Sequence, residues 1–437
     1  MDSQTRIEPP KYTATGLRTV HGLSILDPIP YAPPAKVACL PSSQDATLIT
    51  ASRNTLLLTG VTGLLGSYLV RDLLLDGRGL AVVARRDRKR SAADRVEAIV
   101  RSWEDVLGRV LPRPVVIEGD LTRPDCGLDA ASLEWIATHC DEVLHNAASL
   151  TFRGTDPACE PWRTNVQGTR HVLDVCRQAG IRHFHHVSTA YVCGLRDGTV
   201  REDELEVGQD FGNDYERSKV AAERLVRGAD HLDTVTVFRP SIIVGDSRTG
   251  FTSTYHGLFA VLRLGHTLLT RVLIGSTSGP ALVALLGVGA DDGKNFVPVD
   301  WVSDVVSHAV QSPAARGRTY HLTHPNPVPM DTIGRLVQQA VETYSRAAQA
   351  DDPDLCDERW FADTMREQLD IYRSYLRNDP TFDRTNTLAI AGHLPCPDLD
   401  MPTLMRMARF AIEHDFGRRP VATVESRPAR GATAVLS

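Results

Sequence analysis

The chain has 437 residues, 42% hydrophobic and 23% charged, with a formal net charge of -6. That length suits one large α/β domain with a smaller appended part, and the acidic balance excludes a nucleic-acid footprint. The first residues, Met1-Asp-Ser-Gln-Thr-Arg-Ile-Glu, lack the apolar run of a secretory signal, and no 18 uninterrupted apolar residues occur, which excludes a spanning helix and points to a cytoplasmic protein.

Residues 1–53 are rich in proline and without period, and are expected to form an irregular arm. Thr55-Leu-Leu-Leu-Thr59 is a short apolar run ending in a glycine turn, the pattern of a buried parallel strand. A helix follows, with Leu65, Leu69 and Leu73 on one face. Leu80–Ala84 reads as a second strand, 91–107 as a helix, Pro114–Glu118 as a third strand and Glu142–His145 as a fourth. A helix over 165–179 turns Val172, Leu173 and Cys176 inward. His183–Val187 is a fifth strand, Tyr215–Val226 a helix and Thr234–Phe238 a sixth strand. This alternation predicts a Rossmann-type α/β fold with a doubly wound parallel sheet over 54–250. Beyond 251 the alternation weakens. Phe296–Val299 reads as a strand and Asp300–Val310 as a helix, so 296–325 is expected to return to the core. Segments 330–347, 359–377 and 402–415 read as helices of a smaller, mostly helical C-terminal part over 251–437, expected to bind substrate.

Gly60, Gly63 and Gly66 follow the first strand and open the first helix. Glycine is needed there so that the backbone can turn sharply and approach a pyrophosphate, and the helix N-terminus offers N–H groups to the anion. Thr62, Leu64 and Leu65 lie in the same loop. The second strand ends Ala84-Arg85-Arg86, without the acid that would hold the ribose hydroxyls of NAD. Two guanidiniums at that place favour a 2′-phosphate, so NADPH is the expected cofactor. Asp120, beside Leu121, is positioned either to reach the adenine amine or to cap a turn.

About 150 residues after the glycines comes Tyr215-Glu-Arg-Ser-Lys219. A phenol four residues before an ammonium on a helix can serve as an acid whose pKa the cation lowers. A second donor for a carbonyl oxygen is expected at the end of the fifth strand, where Ser188 and Thr189 sit. The eight cysteines show no C-x-x-C pair and no zinc spacing. They are expected to be reduced, buried and non-catalytic, and no metal site is expected.

Thr59–Gly66, Asn146-Ala-Ala148, Val187-Ser-Thr-Ala190 and Tyr215-x-x-x-Lys219, in this order, resemble the extended short-chain dehydrogenase/reductase superfamily. The resemblance puts Thr189, Tyr215 and Lys219 on the catalytic positions and makes Ser188 a structural neighbour. It carries Asn146, Ala147, Ala148, Pro240 and Ser241 over to the cofactor. Within the superfamily, His183–Thr189, Tyr215–Glu223, Arg239–Asp246 and the tail Asn378–Asp383 with Asn386-Thr387 are similar to thioester reductases and fatty acyl-CoA reductases. That likeness implies reduction of a CoA- or carrier-bound acyl thioester to an aldehyde or alcohol by a stand-alone enzyme of secondary metabolism. Three other readings remain open: a ketone or aldehyde reductase with the same three residues, a nucleotide-sugar epimerase or dehydratase, and a non-catalytic nucleotide sensor. Phe251, Tyr255, Phe259 and Leu262 are candidates either for an acyl pocket or for helix core, and His183, His185 and His186 are expected to be satisfied or partly exposed.

Overall fold

The computed structural model describes residues 53–271, 289–344 and 377–418, with side chains described only to 267 in the first stretch. All of these belong to one unit, Ile49–Ser437. The proline-rich arm up to residue 52, the helix expected over 359–377 save its last residue, Trp360 and Asp351-Asp352 lie outside the described residues.

Seven parallel strands form the central sheet: β1 (Thr55–Thr59), β2 (Gly79–Ala84), β3 (Val115–Glu118), β4 (Cys140–His145), β5 (His183–Val187), β6 (Thr234–Pro240) and β7 (Thr319–Leu322). Their spatial order is β7-β6-β5-β4-β1-β2-β3. The order reverses between β1 and β4, so the loops leaving these two neighbours diverge and open a crevice at their carboxyl ends. Leu56, Leu57 and Leu58 of β1 are all buried, as expected of a strand covered on both faces.

Helices α1 (Leu64–Leu75), α2 (Ala92–Leu107), α3 (Ala130–His139), α4 (Thr169–Ala179) and α5 (Asp214–Arg227) flank the sheet. Leu65, Leu69 and Leu73 of α1 are buried, in the core that also takes up α7 (Val299–Gln311). Val172, Leu173 and Cys176 of α4 join a second core on the other face. A third core unites α6 (Leu258–Arg271), α8 (Met330–Tyr344) and α10 (Met401–Glu413), with α9 (Thr385–Ala391) lying between α8 and α10 in sequence.

The structure departs from the sequence reading in two places, at the seventh strand and at α3, and decides between the two readings of the aromatic set after residue 250. The seventh sheet strand is Thr319–Leu322, whereas Phe296–Pro298 pairs with Ile242–Val244 outside the main sheet. β7 is half polar yet wholly buried, and a four-residue run of that kind carries no period. Helix α3 was not expected from the sequence; Ser132 and Ile136 are its fully buried residues, Leu133, Trp135 and Ala137 pack half-buried against the second core, and its start is fixed by Asp129, whose side chain accepts from Ser132 N–H. The aromatic set after residue 250 is core: Phe259 and Leu262 are buried in the third cluster, and Phe251 packs against Tyr68 and Phe410.

Candidate active site

A single cavity of about 580 Å³ runs from the end of β2 to α8. Its first half is built from backbone. Gly60 has φ +76°, a conformation open to glycine, and a Cβ there would stand 2.6 Å from the Ala147 nitrogen. A Cβ on Gly66 would stand 2.0 Å from the Gly60 carbonyl oxygen. The Gly60 carbonyl accepts from Gly63 N–H at 3.1 Å and from the Asn146 side-chain amide at 3.3 Å. No side chain caps α1 at Gly63, which leaves its first N–H groups to a ligand. Thr62, Gly63, Leu64, Leu65, Asn146, Ala147 and Ala148 line this half; Gly66 lies behind it.

At the adenosine end the two arginines part. Arg85 lines the cavity, with its guanidinium 3.9 Å from Asp120. Arg86 does not line it and stands 3.7 Å from Glu118. Arg95, on α2, lines the cavity instead and donates to the Arg85 carbonyl at 2.6 Å. Asp120 caps a turn, its carboxylate accepting from the N–H and hydroxyl of Thr122, and it also lines the cavity beside Leu121. Burial pushes its pKa up, but those bonds and the nearby Arg85 leave it below the ordinary carboxylate value.

The middle of the cavity holds the three chemical residues. Asn213 caps α5 by accepting from Glu216 N–H, which sets Tyr215 in the first turn and Lys219 one turn later. Thr189, 5% exposed, follows β5. Its hydroxyl accepts from Tyr191 N–H at 3.3 Å and is hydrogen-bonded to the Tyr215 phenol. Lys219 is 2% exposed and donates to the Val187 carbonyl at 2.8 Å. Burial pushes its pKa down to about 8, against a smaller opposing effect of Glu223. Tyr215 differs from the sequence expectation. Its pKa is raised, because burial outweighs the one lowering influence, the bond with Thr189, while Lys219 donates to the Val187 carbonyl.

Ser188 and Ser241 also line the cavity, are 4% and 5% exposed, and have side-chain oxygens without a protein partner. Two buried hydroxyls without partners beside Pro240 suit a polar ligand in this middle section. Asn165, read in the sequence only as helix, is buried and ties Ser149 to Ser218, whose hydroxyl bonds the Tyr215 carbonyl. It lies in a π-helical turn, Arg163–Gly168, which apolar spacing does not reveal. Arg239 is wholly buried and held by Glu223 and by the carbonyls of Glu202 and Glu204, which anchors the strand end carrying Pro240 and Ser241.

The far half is a chamber with an apolar wall of Ile242, Ile243, Val261, Phe296, Met330 and Ile333. Phe251, Tyr255, Phe259 and Leu262 do not line it. Four of the cysteines (126, 140, 176 and 193) are buried, but Cys159 is exposed, and none of the described cysteines lines the cavity. Among the strand histidines, His183 meets Thr234 and His185 meets Glu142. His186 is the exception: wholly buried, it faces away from these partners, stacks on His145, and neither ring nitrogen is bonded. Burial holds it far below the ordinary histidine pKa and holds His145 down to about 3. No group of three or more histidine, cysteine or acidic side chains able to hold a metal occurs among the described residues.

The NAD-binding family described as male sterility protein matches residues 58–306, more than half of the chain. The chain belongs to that family. It is an extended short-chain dehydrogenase/reductase, thioester-reductase-like, and its relatives are NAD(P)-dependent reductases. It is similar to the terminal R domain of the myxalamid PKS-NRPS pathway, with 26% identity and a TM-score of 0.65 over 85% of this chain and 94% of that one. It is 27% identical to the nonribosomal peptide synthetase asaC of Aspergillus flavus over 63% of this chain and 26% of the relative. It is 26% identical to the aldehyde reductase lnaA of the same organism over 81% of this chain and 35% of the relative. The chain spans between 6% and 36% of the length of the curated relatives it matches. No helix among the described residues is long and apolar enough to cross a membrane.

Proposed function

We propose that the protein reduces an acyl thioester, carried by CoA or by a separate carrier protein, to an aldehyde, with NADPH as the reductant. The observation that carries this reading is the hydrogen-bonded Thr189–Tyr215 pair, set where the glycine cradle meets the apolar chamber. The likeness to a terminal R domain over nearly its whole length supports a thioester over other carbonyls.

The cradle of Gly60 and Gly66, where any Cβ would strike backbone, together with the partnerless Ser188 and Ser241, suits a dinucleotide. Gly60 to Leu65, Asn146, Ala147, Ala148, Pro240 and Ser241 would hold it, and Arg85 with Arg95 would take the 2′-phosphate. Bound there, the reduced nicotinamide supplies hydride. Thr189 and Tyr215 donate to the thioester oxygen and stabilise the negative charge that develops on it. Tyr215, kept protonated by burial, is a proton donor at working pH rather than a preformed phenolate. Lys219 offers its buried ammonium to the ribose side and holds positive charge near the developing oxyanion. The hemithioacetal then collapses to an aldehyde and a thiol. The residues beyond 251 serve as the substrate-binding part, since most of the chamber's apolar wall comes from them.

The test is NADPH oxidation with acyl-CoAs and acyl-pantetheines beside matching aldehydes and ketones, using wild type and Tyr215→Phe. Thioester-dependent oxidation lost in Tyr215→Phe is the expected result. Turnover of aldehydes or ketones alone overturns it in favour of a carbonyl reductase, the reading that the likeness to an aldehyde reductase supports.

A further inference from the structure

The chamber has a closed end and an open one. Lys294, Phe296, Met330 and Ile333 are buried, with the Lys294 charge met by Asp379, and form the closed end. Outside the dinucleotide half, the exposed residues of the described lining are Leu150 and His256. His256 belongs to a segment that the fold fixes from behind. The buried Thr252 hydroxyl donates to the Thr254 carbonyl at 2.7 Å and accepts from Thr254 N–H at 3.2 Å. Thr254 and His256 then line the cavity, while Tyr255 between them turns into the third core against Phe259 and Phe416. Gly257 follows at φ +55° and packs so closely on Ile242 that a Cβ there would stand 2.6 Å from its Cγ2. Ile242 lies two residues beyond Pro240, whose carbonyl is 3.4 Å from the Thr189 hydroxyl. The segment is therefore held beside the reacting centre, at the open end.

Neither the His256 ring nor the Thr254 hydroxyl has a hydrogen-bond partner among the described residues. The ring opens on the cavity but has protein around its other sides, and that enclosure pushes its pKa below the ordinary histidine value, so the imidazole is neutral. A neutral imidazole offers one donor and one acceptor, and a hydroxyl offers both. An amide needs just such a pair, whereas a phosphate or carboxylate calls for a cation. A thioester also has to lie in the chamber one way round. CoA or a carrier protein is too large for a cavity of about 580 Å³, so the acyl chain takes the closed end and the arm that bears the sulfur leaves through the open one. In both carriers that arm is pantetheine, whose polar groups next to the sulfur are amides. On the reading of the site as a thioester reductase, we propose that His256 and Thr254 are specificity residues that hold an amide of the pantetheine arm at the open end of the chamber. The pair thereby directs the acyl chain towards Phe296 and Met330 and brings the carbonyl to Thr189 and Tyr215.

The experiment compares the octanoyl thioesters of pantetheine and of pentanethiol, which share the acyl group and differ in the arm, using wild type, His256→Phe and His256→Gln. A hydrogen bond that replaces one to water is worth about three- to tenfold, so His256→Phe should lower kcat/KM for the pantetheine ester by that factor, through KM. The pentyl ester, with no amide to lose, should stay within about twofold. NADPH affinity should be unchanged by fluorescence titration, and His256→Gln, which keeps a donor and an acceptor, should recover most of the loss. If His256→Phe does not fold, Thr254→Val carries the test and should show the same selective loss. An equal effect on both esters, or none on either, overturns the role of the pair and leaves the reductase reading intact. A fall in kcat with KM unchanged also overturns it, since an arm contact acts on binding. Wild type inert towards both thioesters, yet binding NADPH, overturns the thioester reading and this inference with it.

Discussion

The two halves of the cavity are built by opposite means. The half proposed for the dinucleotide is centred on one contiguous turn, Thr59–Gly66, where a Cβ on Gly66 would stand 2.0 Å from the Gly60 carbonyl oxygen and one on Gly60 2.6 Å from the Ala147 nitrogen, with Arg85, Arg95, Asp120 and Asn146–Ala148 completing the lining. The acyl half takes its lining from Ile242-Ile243, Gly257, Val261, Lys294, Phe296, Met330 and Ile333, with Asp379 behind, positions spread over more than a hundred residues. Where backbone does the binding, the requirement is written locally and allows few substitutes. Where side chains converge from distant segments, each position tolerates many residues and nothing local announces it. The residues proposed for catalysis stand between, with Tyr215 and Lys219 local to one helix and Thr189 brought to them by strand β5.

The largest test of this contrast is Tyr215→Phe. Removing the proton donor while keeping the ring against Phe152 should lower kcat/KM by about 10³-fold, within the range for loss of an oxyanion donor or general acid. NADPH affinity should stay within error, because the phenol does not shape the cradle. Steady-state kinetics with a cofactor titration check both. A loss of NADPH binding in parallel would mean that the two halves are not separable.

Gly66→Ala is the counterpart in the other half. The added methyl would meet the Gly60 carbonyl at 2.0 Å and must displace the loop, a strain that overpacked sites turn into about 1–3 kcal/mol. Both the melting temperature and NADPH affinity should fall. A variant with unchanged affinity would show that the cradle does not depend on that close approach.

The pH dependence separates Lys219 from its surroundings. Burial lowers its pKa from 10.5 to about 8 in the folded protein. Below about 8 the ammonium is present and the site is competent. Above it the charge is lost, so kcat/KM should fall by about tenfold per pH unit. The effect on stability has the other sign. Between about 8 and 10.5 the unfolded chain binds the proton that the folded chain has released, so this group makes the folded state more stable as pH rises. Activity and melting temperature measured on the ligand-free protein should diverge over that window, and Lys219→Met should remove this contribution to the melting profile. Histidine does not add an acid limb from His145 or His186, both held neutral by burial.

The same contrast decides how far the sequence could be read. Of the parallel strands, β1 and β2 were legible because strands covered on both faces become apolar runs, while β5 was read as a strand despite its three histidines. Strand β7, Thr-Tyr-His-Leu, was not: its polar groups are satisfied at close range, Tyr320 on the Ala315 carbonyl and His321 on the Asp383 carbonyl, so burial left no apolar signature. The glycine turn, Thr189, Tyr215 and Lys219 could be named beforehand because each sits in a short motif. Lys294 in the cavity wall could not, since its pairing partner is Asp379, 85 positions away. Nor could Arg95, which reaches the cavity from a helix face that periodicity alone marks as surface. The aromatic set at 251–262 shows the limit from the other side, since helical spacing identifies a buried face without saying whether a core or a ligand covers it.

The smallest effect bears on cofactor choice. Arg85 and Arg86 are adjacent in sequence and equal in charge, yet only Arg85 lines the cavity, while Arg86 is 72% exposed at its side chain and drawn towards Glu118. If a 2′-phosphate is held here, Arg85→Ala should shift the ratio of NADPH to NADH affinity by about tenfold, the value of one charge-assisted contact at a partly solvated site. Arg95→Ala should have an effect of the same sign, because that side chain lines the cavity and braces the Arg85 carbonyl at 2.6 Å. Arg86→Ala should leave the ratio within about twofold, since an exposed pair contributes little. Fluorescence titration of both cofactors measures all three. A larger effect from Arg86 than from Arg85 would mean that the end of β2 rearranges when the cofactor enters, and that even this half of the cavity is finished by side chains rather than by backbone alone.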